Sequence, residues 1–387
     1  MKLRNLEQIR TLEGKRVLLR LDLNVPLKGD QVDPSGDWRL DRSLPTINYL
    51  IKHKAKIIIV AHLGRPDGQR QEKFSLLPVA KSLSKKLGQK IEFWADDFRD
   101  YVKDSQSMEF SQIAMLENIR FEPREKKNCK RLAKDLSKLA DIYVNDAFGN
   151  LHRQDSSMHA ITEYLPAYAG FLIIDEIKHL SQILDAKDGV VIMFGGAKIS
   201  TKIKLIKKLS VKADKILLGG ALANTMIKAS GYSVGKSLVD DKSLASAKTL
   251  LKNNIHLPID VNVATSLKVK KYQTKTIDNI PKNAMILDIG PATIKEYESI
   301  LKSAKLVVWN GPFGYFENKN FVQGSREIMK YLAKLPAKVI IGGGETVELA
   351  KELGFDKKFD FISTGGGAML TYLGGSKMPS LDRLKIR

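Results

Sequence analysis

The sequence contains one cysteine in 387 residues, Cys129, so an internal disulfide framework and a cysteine-built zinc cluster are both excluded. That usage suits a reducing compartment. Long apolar runs are also missing. The aliphatic stretches, such as 57–60, have strand length, and residues 1–10 lead into no apolar segment of the secretory type. The expectation is a cytoplasmic protein without a membrane partner. Acidic residues are in deficit, 43 Asp and Glu against 64 Lys and Arg, which leaves a formal charge of +21. Such a balance points to anionic partners: nucleic acid, a membrane surface or phosphorylated metabolites. Nucleic acid is disfavoured, because there is no basic tail, no arginine-rich run and no aromatic RNA-binding pattern; lysines scatter along helical stretches such as 126–138.

What is present is ample apolar material, 43% of residues, in a chain too long for one ordinary core. Two domains are expected, although no Gly/Ser/Pro linker or low-complexity block separates them. Short β-branched runs that end abruptly in polar or glycine residues alternate with stretches of helical periodicity, the pattern of parallel α/β units. Strands are expected at 16–20, 56–60, 113–116 and 141–144 in the first part. In the second they are expected at 190–194, 215–218, 285–289, 305–309, 338–341 and 359–362. The apolar-periodic stretch 171–184 reads as a helix joining the halves.

The residues just past the strands differ between the halves. Ligands of open parallel sheets bind beyond the carboxyl ends of the strands. In the first half those positions carry Asp22 and Asn24, His62 and Arg65, Glu117, Asn118 and Arg120, then Asn145, Asp146, His152 and Arg153. In the second half they carry glycine: 195–196, 219–220, 290, 311 and 314, 342–344 and 365–367. A single strand-end arginine is usually solvated, and a lone Gly-Gly is usually a tight turn. Repetition at successive strand ends changes the balance. Guanidinium groups suit a small polyanion, whereas bare glycine turns let backbone N–H groups approach phosphate oxygens at helix N-termini.

Two local features need separate treatment. The segment Gly231 to Ser237 looks like a phosphate-binding P-loop, but it has three residues between its glycines instead of four and comes after a helical stretch rather than a strand. It is rejected as a nucleotide site by that route. In Gly195-Gly196-Ala197-Lys198-Ile199-Ser200-Thr201-Lys202, by contrast, a strand ends at glycines and a helix begins. Lys198 and Lys202 are four apart, at the positive end of that helix, an arrangement that favours an anion between them.

At this point several motifs resemble one family. Arg20-Leu21-Asp22-Leu23-Asn24-Val25-Pro26 is similar to a signature of the phosphoglycerate kinases. So are Ala61-His62-Leu63-Gly64-Arg65-Pro66, Leu116-Glu117-Asn118-Ile119-Arg120-Phe121 and Val144-Asn145-Asp146-Ala147-Phe148-Gly149. Gly195 to Lys202, Trp309-Asn310-Gly311-Pro312 with Phe316-Glu317, Gly342 to Thr346 and Ser363 to Ala368 come next in the family's order. The resemblance covers the whole chain.

The resemblance implies an α/β fold of two Rossmann-like three-layer domains with parallel sheets joined by an interdomain helix. It implies an acid-substrate domain at 1–168 plus 373–387, a connecting helix at 169–186 and a nucleotide domain at 187–372. It implies phosphoryl transfer between ATP and the carboxylate of 3-phosphoglycerate, by hinge closure, in a monomer that uses Mg²⁺. By motif position the acid would meet Asp22, Asn24, Arg39, His62, Arg65, Arg120 and Arg153. The nucleotide would meet Lys198, Lys202, Gly220, Gly290, Asn310, Gly311, Glu317, Gly343, Gly344, Glu345 and Thr346, with Glu317 on the ribose and Glu345 on the metal. Arg39 and Lys198 would be the catalytic pair, Arg39 lying just before Leu44 and Pro45 where a loop enters a helix. Four positions depart from the family pattern: Thr201 and Glu345 replace Asp, Asp155 replaces the second His of a His-Arg-x-His pattern, and Ala221 replaces a third Gly. They leave open a kinase for another small acid; a basic nucleic-acid-binding protein is the alternative from a different class.

Overall fold

A computed structural model describes residues 1–197, 199–251 and 254–386, with the side chains of 199–201 outside the description. The chain divides into two compact units, Met1–Lys178 with the C-terminal segment from Lys377, and His179–Ser376. The division falls inside the helix Phe171–Asp185, which occupies the stretch expected to join the halves.

The first unit holds β1 (Arg16–Leu21), a short ribbon of β2 (Leu27–Lys28) and β3 (Gln31–Val32), then β4 (Lys56–Val60), β5 (Ile91–Trp94), β6 (Ile113–Leu116), β7 (Ile142–Asp146) and β8 (Ala167–Ala169). Its sheet runs in the order β5-β6-β4-β1-β7-β8, and every neighbouring pair is parallel. The central runs are buried along nearly their whole length, as a sheet covered on both faces requires. Helices such as Asp37–Lys52 and Leu77–Leu87 supply the covering; Leu40, Ile47, Leu50, Val79 and Leu83 pack with the strands in one core.

The second unit begins with β9 (Val190–Phe194), β10 (Lys215–Leu218) and β11 (Ile255–His256). It continues with β12 (Asp260–Ala264), β13 (Gln273–Thr276), β14 (Met285–Ile289), β15 (Leu306–Asn310), β16 (Lys338–Gly342) and β17 (Phe361–Ser363). A parallel sheet runs β11-β10-β9-β15-β16-β17. The expected strand 285–289 is present but belongs elsewhere: β14 pairs antiparallel with β12, which pairs antiparallel with β13. Gly290 therefore ends a strand of this small sheet and precedes the helix Pro291–Leu301, instead of ending a strand of the parallel layer.

Candidate active site

In the first unit the charged residues gather along the carboxyl ends of β1, β4, β6 and β7. Asp22, just past β1, is 8% exposed and lies 3.5 Å from the Arg39 guanidinium, which also stacks over the Trp38 ring. Arg39 sits within the first turn of the helix Asp37–Lys52, and Pro45 lies inside that helix; the loop-to-helix entry is thus earlier than the sequence suggests. Asn24 accepts a hydrogen bond from the Gly64 N–H at 2.8 Å, while the Gly64 carbonyl accepts one from Arg120 at 2.8 Å. The loop after β4 is clamped from both sides, and Arg65 is presented on it, exposed.

His62 is buried at the end of β4, with Nδ1 3.0 Å from the Arg20 guanidinium. Burial first, and then the charges of Arg20, Arg153, Arg39 and Lys126, hold its proton affinity well below the ordinary histidine value. The ring is therefore neutral and accepts from Arg20. Arg39, from the first turn of its helix, and Arg153, from the loop after β7, both act on His62 through their charge.

Several of the polar residues singled out by position turn out to hold the loops. Glu117 accepts hydrogen bonds from Leu76 N–H, Asn118 N–H and the Ser75 hydroxyl. Asn118 serves both Leu63 and Arg120 backbones and the Phe74 carbonyl. Asn145 and Asp146 belong to β7 itself and are fully buried; Asn145 accepts from Ala147 N–H and Asp146 from Ile173 N–H. Burial pushes the Asp146 carboxyl up to about 7.

Sequence reasoning missed the support beneath the arginines. Arg20 is fully buried and donates to the Ser157 hydroxyl, the Leu21 carbonyl and His62. The Ser157 hydroxyl donates to Glu125 at 2.6 Å, and Glu125 also accepts from Ser157 N–H at 3.0 Å. Burial, then the charge of Asp155, pushes the Glu125 carboxyl up to about 7.

The second unit answers with backbone. Its loops after β9, β10 and β15 interlock: Gly196 N–H donates to the Pro312 carbonyl at 2.8 Å and Gly220 N–H to the Phe313 carbonyl at 2.7 Å. A Cβ at Gly195 would overlap the Pro312 carbonyl oxygen, and one at Gly220, whose φ is +60°, would come within 2.7 Å of Gly196 N. Only glycine fits there. Lys202 is buried beneath this layer and donates to the carbonyls of Gly195 and Asn310. Asn310 donates to Gly342 O at 3.0 Å, and the buried Thr346 hydroxyl accepts from Gly311 N–H at 2.9 Å.

Above the loops lies a cavity of about 500 Å³. Its floor is Gly196, Ala197, Gly220, Ala221 and the stretch from Pro312 to Gly314; its walls are largely apolar, with Leu238, Leu267, Met285 and Leu287. Glu317 and Glu345, both exposed, also line it. The helices Gly220–Ala229 and Gly344–Glu352 begin at it, so the positive dipole ends of both face one hollow. Gly290, Asn310, Gly311, Gly343, Gly344 and Thr346 do not line it; the last five stand at the carboxyl ends of β15 and β16 and in the helix start that follows, and Gly290 instead packs on the buried Asp260. Lys198 and the Thr201 side chain lie outside the described residues. Residues that sequence reasoning passed over, Asn224, Lys236 and Met285 to Asp288, also line the cavity. Lys236 belongs to the rejected P-loop look-alike, which comes after the helix Gly220–Ala229.

Comparison with known proteins decides the family. The family described as "Phosphoglycerate kinase" matches residues 6–376.

The chain belongs to the phosphoglycerate kinase family.

It is 42% identical to the phosphoglycerate kinase of Thermosipho africanus over 384 residues, covering 96% of this chain and 95% of the other. Against the phosphoglycerate kinase of Pelotomaculum thermopropionicum the identity is 40% over 382 residues, with 96% and 97% covered. Among solved structures, the phosphoglycerate kinase of Coxiella burnetii superposes with a TM-score of 0.87 at 38% identity, covering 99% of this chain and 98% of that one. That of Pyrococcus horikoshii gives the same TM-score at 32% identity and the same coverage. Members of this family are kinases whose phosphoryl acceptor is a carboxylate. No helix among the described residues is long and apolar enough to cross a membrane.

Proposed function

We propose that the chain transfers a phosphoryl group reversibly between ATP and the carboxylate of 3-phosphoglycerate, the acid binding to the first unit and the nucleotide to the second. One observation carries this reading: strand ends of two parallel sheets are furnished oppositely, with guanidinium groups in one and interlocked glycine loops under an apolar cavity in the other. A phosphorylated acid offers two anionic ends to Arg39, Arg65, Arg120 and Arg153, with Asp22, Asn24 and neutral His62 fixing orientation. A purine suits the apolar walls, its ribose can meet Glu317, and its phosphates suit the helix N-termini. Lys202, Gly220, Gly290, Asn310, Gly311, Gly343, Gly344 and Thr346 shape the phosphate loops. Lys198 is assigned to the transferring phosphoryl group by motif position.

The chemistry asks for no general base, because the attacking carboxylate is already ionised. Catalysis reduces to positioning and neutralisation of charge. Arg39 would stabilise charge at the reacting end of the acid. Transfer in line needs reacting atoms about 3 Å apart. The two sets belong to different units, so the reaction requires the units to close over both reactants, with helix Phe171–Asp185 spanning the division.

For Mg²⁺, the carboxylate in reach of the phosphate loops is Glu345, exposed in the first turn of helix Gly344–Glu352, Glu317 being assigned to the ribose; the described residues contain no cluster of three ligands. That fits an ion held mainly by phosphate oxygens and water with one carboxylate in support. Bound there, Mg²⁺ would neutralise nucleotide phosphate charge. A cytoplasmic monomer completes the reading. The test is a coupled assay with 3-phosphoglycerate and Mg-ATP. Turnover dependent on both substrates is expected; turnover with a different acid but none with 3-phosphoglycerate would move the reading to another small-acid kinase.

A further inference from the structure

The acid site contains a carboxylate that the proposed reaction does not use. Asp155 is 5% exposed, and its Oδ2 stands 3.8 Å from the Arg120 guanidinium, itself 5% exposed. Neither Asp155 Oδ2 nor Arg120 Nε finds a hydrogen-bond partner among the described residues. They form an ion pair, but too long for a hydrogen bond.

The backbone that carries the carboxylate is held in place. Its own carbonyl accepts from Met158 N–H at 3.0 Å and His159 N–H at 2.8 Å. The next two residues are tied to the helix Glu125–Lys127, through Ser156 N–H on the Glu125 carbonyl and Ser157 on the Glu125 carboxyl. Charged groups face it from each packed element: Arg20 from β1, Arg120 from the turn Ile119–Phe121, Glu125 and Lys126 from the helix Glu125–Lys127, and His152 and Arg153 from its own loop. Burial raises its proton affinity and the surrounding cations lower it, with the balance upward.

We propose that Asp155 is a built-in counterion of the acid site, competing with the substrate's phosphate for Arg120 and taking up a proton from solvent when the phosphorylated acid binds. The inference rests on the acid-site reading above. A dianion arriving at Arg120 brings like charge towards a buried carboxylate 3.8 Å from that guanidinium, and protonation relieves the repulsion. Asp155 thereby sets affinity for the acid: it weakens binding of any anion while ionised and tunes the site towards ligands charged enough to displace it.

Titration calorimetry with 3-phosphoglycerate tests this, in buffers of different ionisation enthalpy and above about pH 7, where a phosphate monoester is dianionic. Wild type should take up protons on binding and bind more weakly as pH rises. Asp155→Asn should bind about tenfold tighter, with reduced uptake and a flatter pH profile. Wild-type binding without uptake, or an Asp155→Asn affinity equal to or below wild type, would overturn the proposal and leave the site reading intact. No binding of the acid to wild type would overturn both. Should Asp155→Asn fail to fold, wild-type binding without proton uptake still overturns the proposal.

Discussion

The two units share a scaffold and differ in what they put on it. Each contains a six-stranded parallel sheet with its candidate site at the strand carboxyl ends. The first populates those ends with arginines, three of which are restrained by a partner below or beside them: Asp22 for Arg39, the Gly64 carbonyl and Asp155 for Arg120, Ser157 and His62 for Arg20. The second removes side chains and lets loops interlock through Gly195, Gly196, Gly220 and Pro312. A side-chain site loses function when truncated and keeps its fold. A backbone site fails the other way: adding one carbon breaks the fold of the site itself.

The largest effect should come from adding that carbon. Gly195→Ala places a methyl on the Pro312 carbonyl, and should cost about 3 kcal/mol of stability in the second unit through overpacking. Thermal unfolding and ATP titration together check it; a variant with wild-type stability and ATP affinity would break the contrast. Next comes Arg39→Ala, expected to lower turnover about 10²-fold with unchanged ATP affinity and melting temperature, because its Asp22 pair is long and partly exposed. An equal fall in ATP affinity would blur the division of labour. Third, Glu345→Ala should raise the Mg²⁺ needed for half-maximal turnover about tenfold, with little effect on affinity for the acid. A Mg²⁺ titration identical to wild type would remove Glu345 from the metal.

The smallest effect concerns pH. The folded protein depresses the His62 pKa below its unfolded value, so the unfolded chain binds the proton more readily. The contribution to stability is therefore full above about pH 6.5 and is lost as pH falls from there towards the folded pKa. His62→Gln, which can still accept from Arg20, should show a flatter loss of stability below pH 6.5 in denaturant titrations. An unchanged slope would show that the ring takes its proton in the folded state.

Much of this is legible in sequence, for reasons that particular elements make plain. Runs such as Lys56–Val60 and Val190–Phe194 carry their own evidence, because strands buried on both faces must be apolar throughout. The arginine and glycine division is visible because strand ends share one edge. Other elements leave no trace. Gln273–Thr276 is polar and mostly exposed, held as a strand only by pairing with Asp260–Ala264. Met285–Ile289 reads as a parallel strand because an apolar run says nothing about the direction of its partner. Glu125 stands in the charged run Arg124 to Lys127 and looks solvated; its burial is imposed by Ser156 and Ser157, about thirty residues away. Asn145 and Asp146 illustrate the opposite error, since polar residues at a strand end read as ligand contacts and yet serve the fold.

The central claim is that the acid binds to the guanidinium edge and the nucleotide to the glycine edge. Amide hydrogen exchange with one substrate at a time tests it most directly. With 3-phosphoglycerate alone, protection should rise at 62–66 and 118–121 and stay unchanged across 195–197, 219–222 and 311–317. With Mg-ATP alone, the pattern should be the reverse. Protection of the glycine loops by the acid, or of the arginine loops by the nucleotide, would contradict the account.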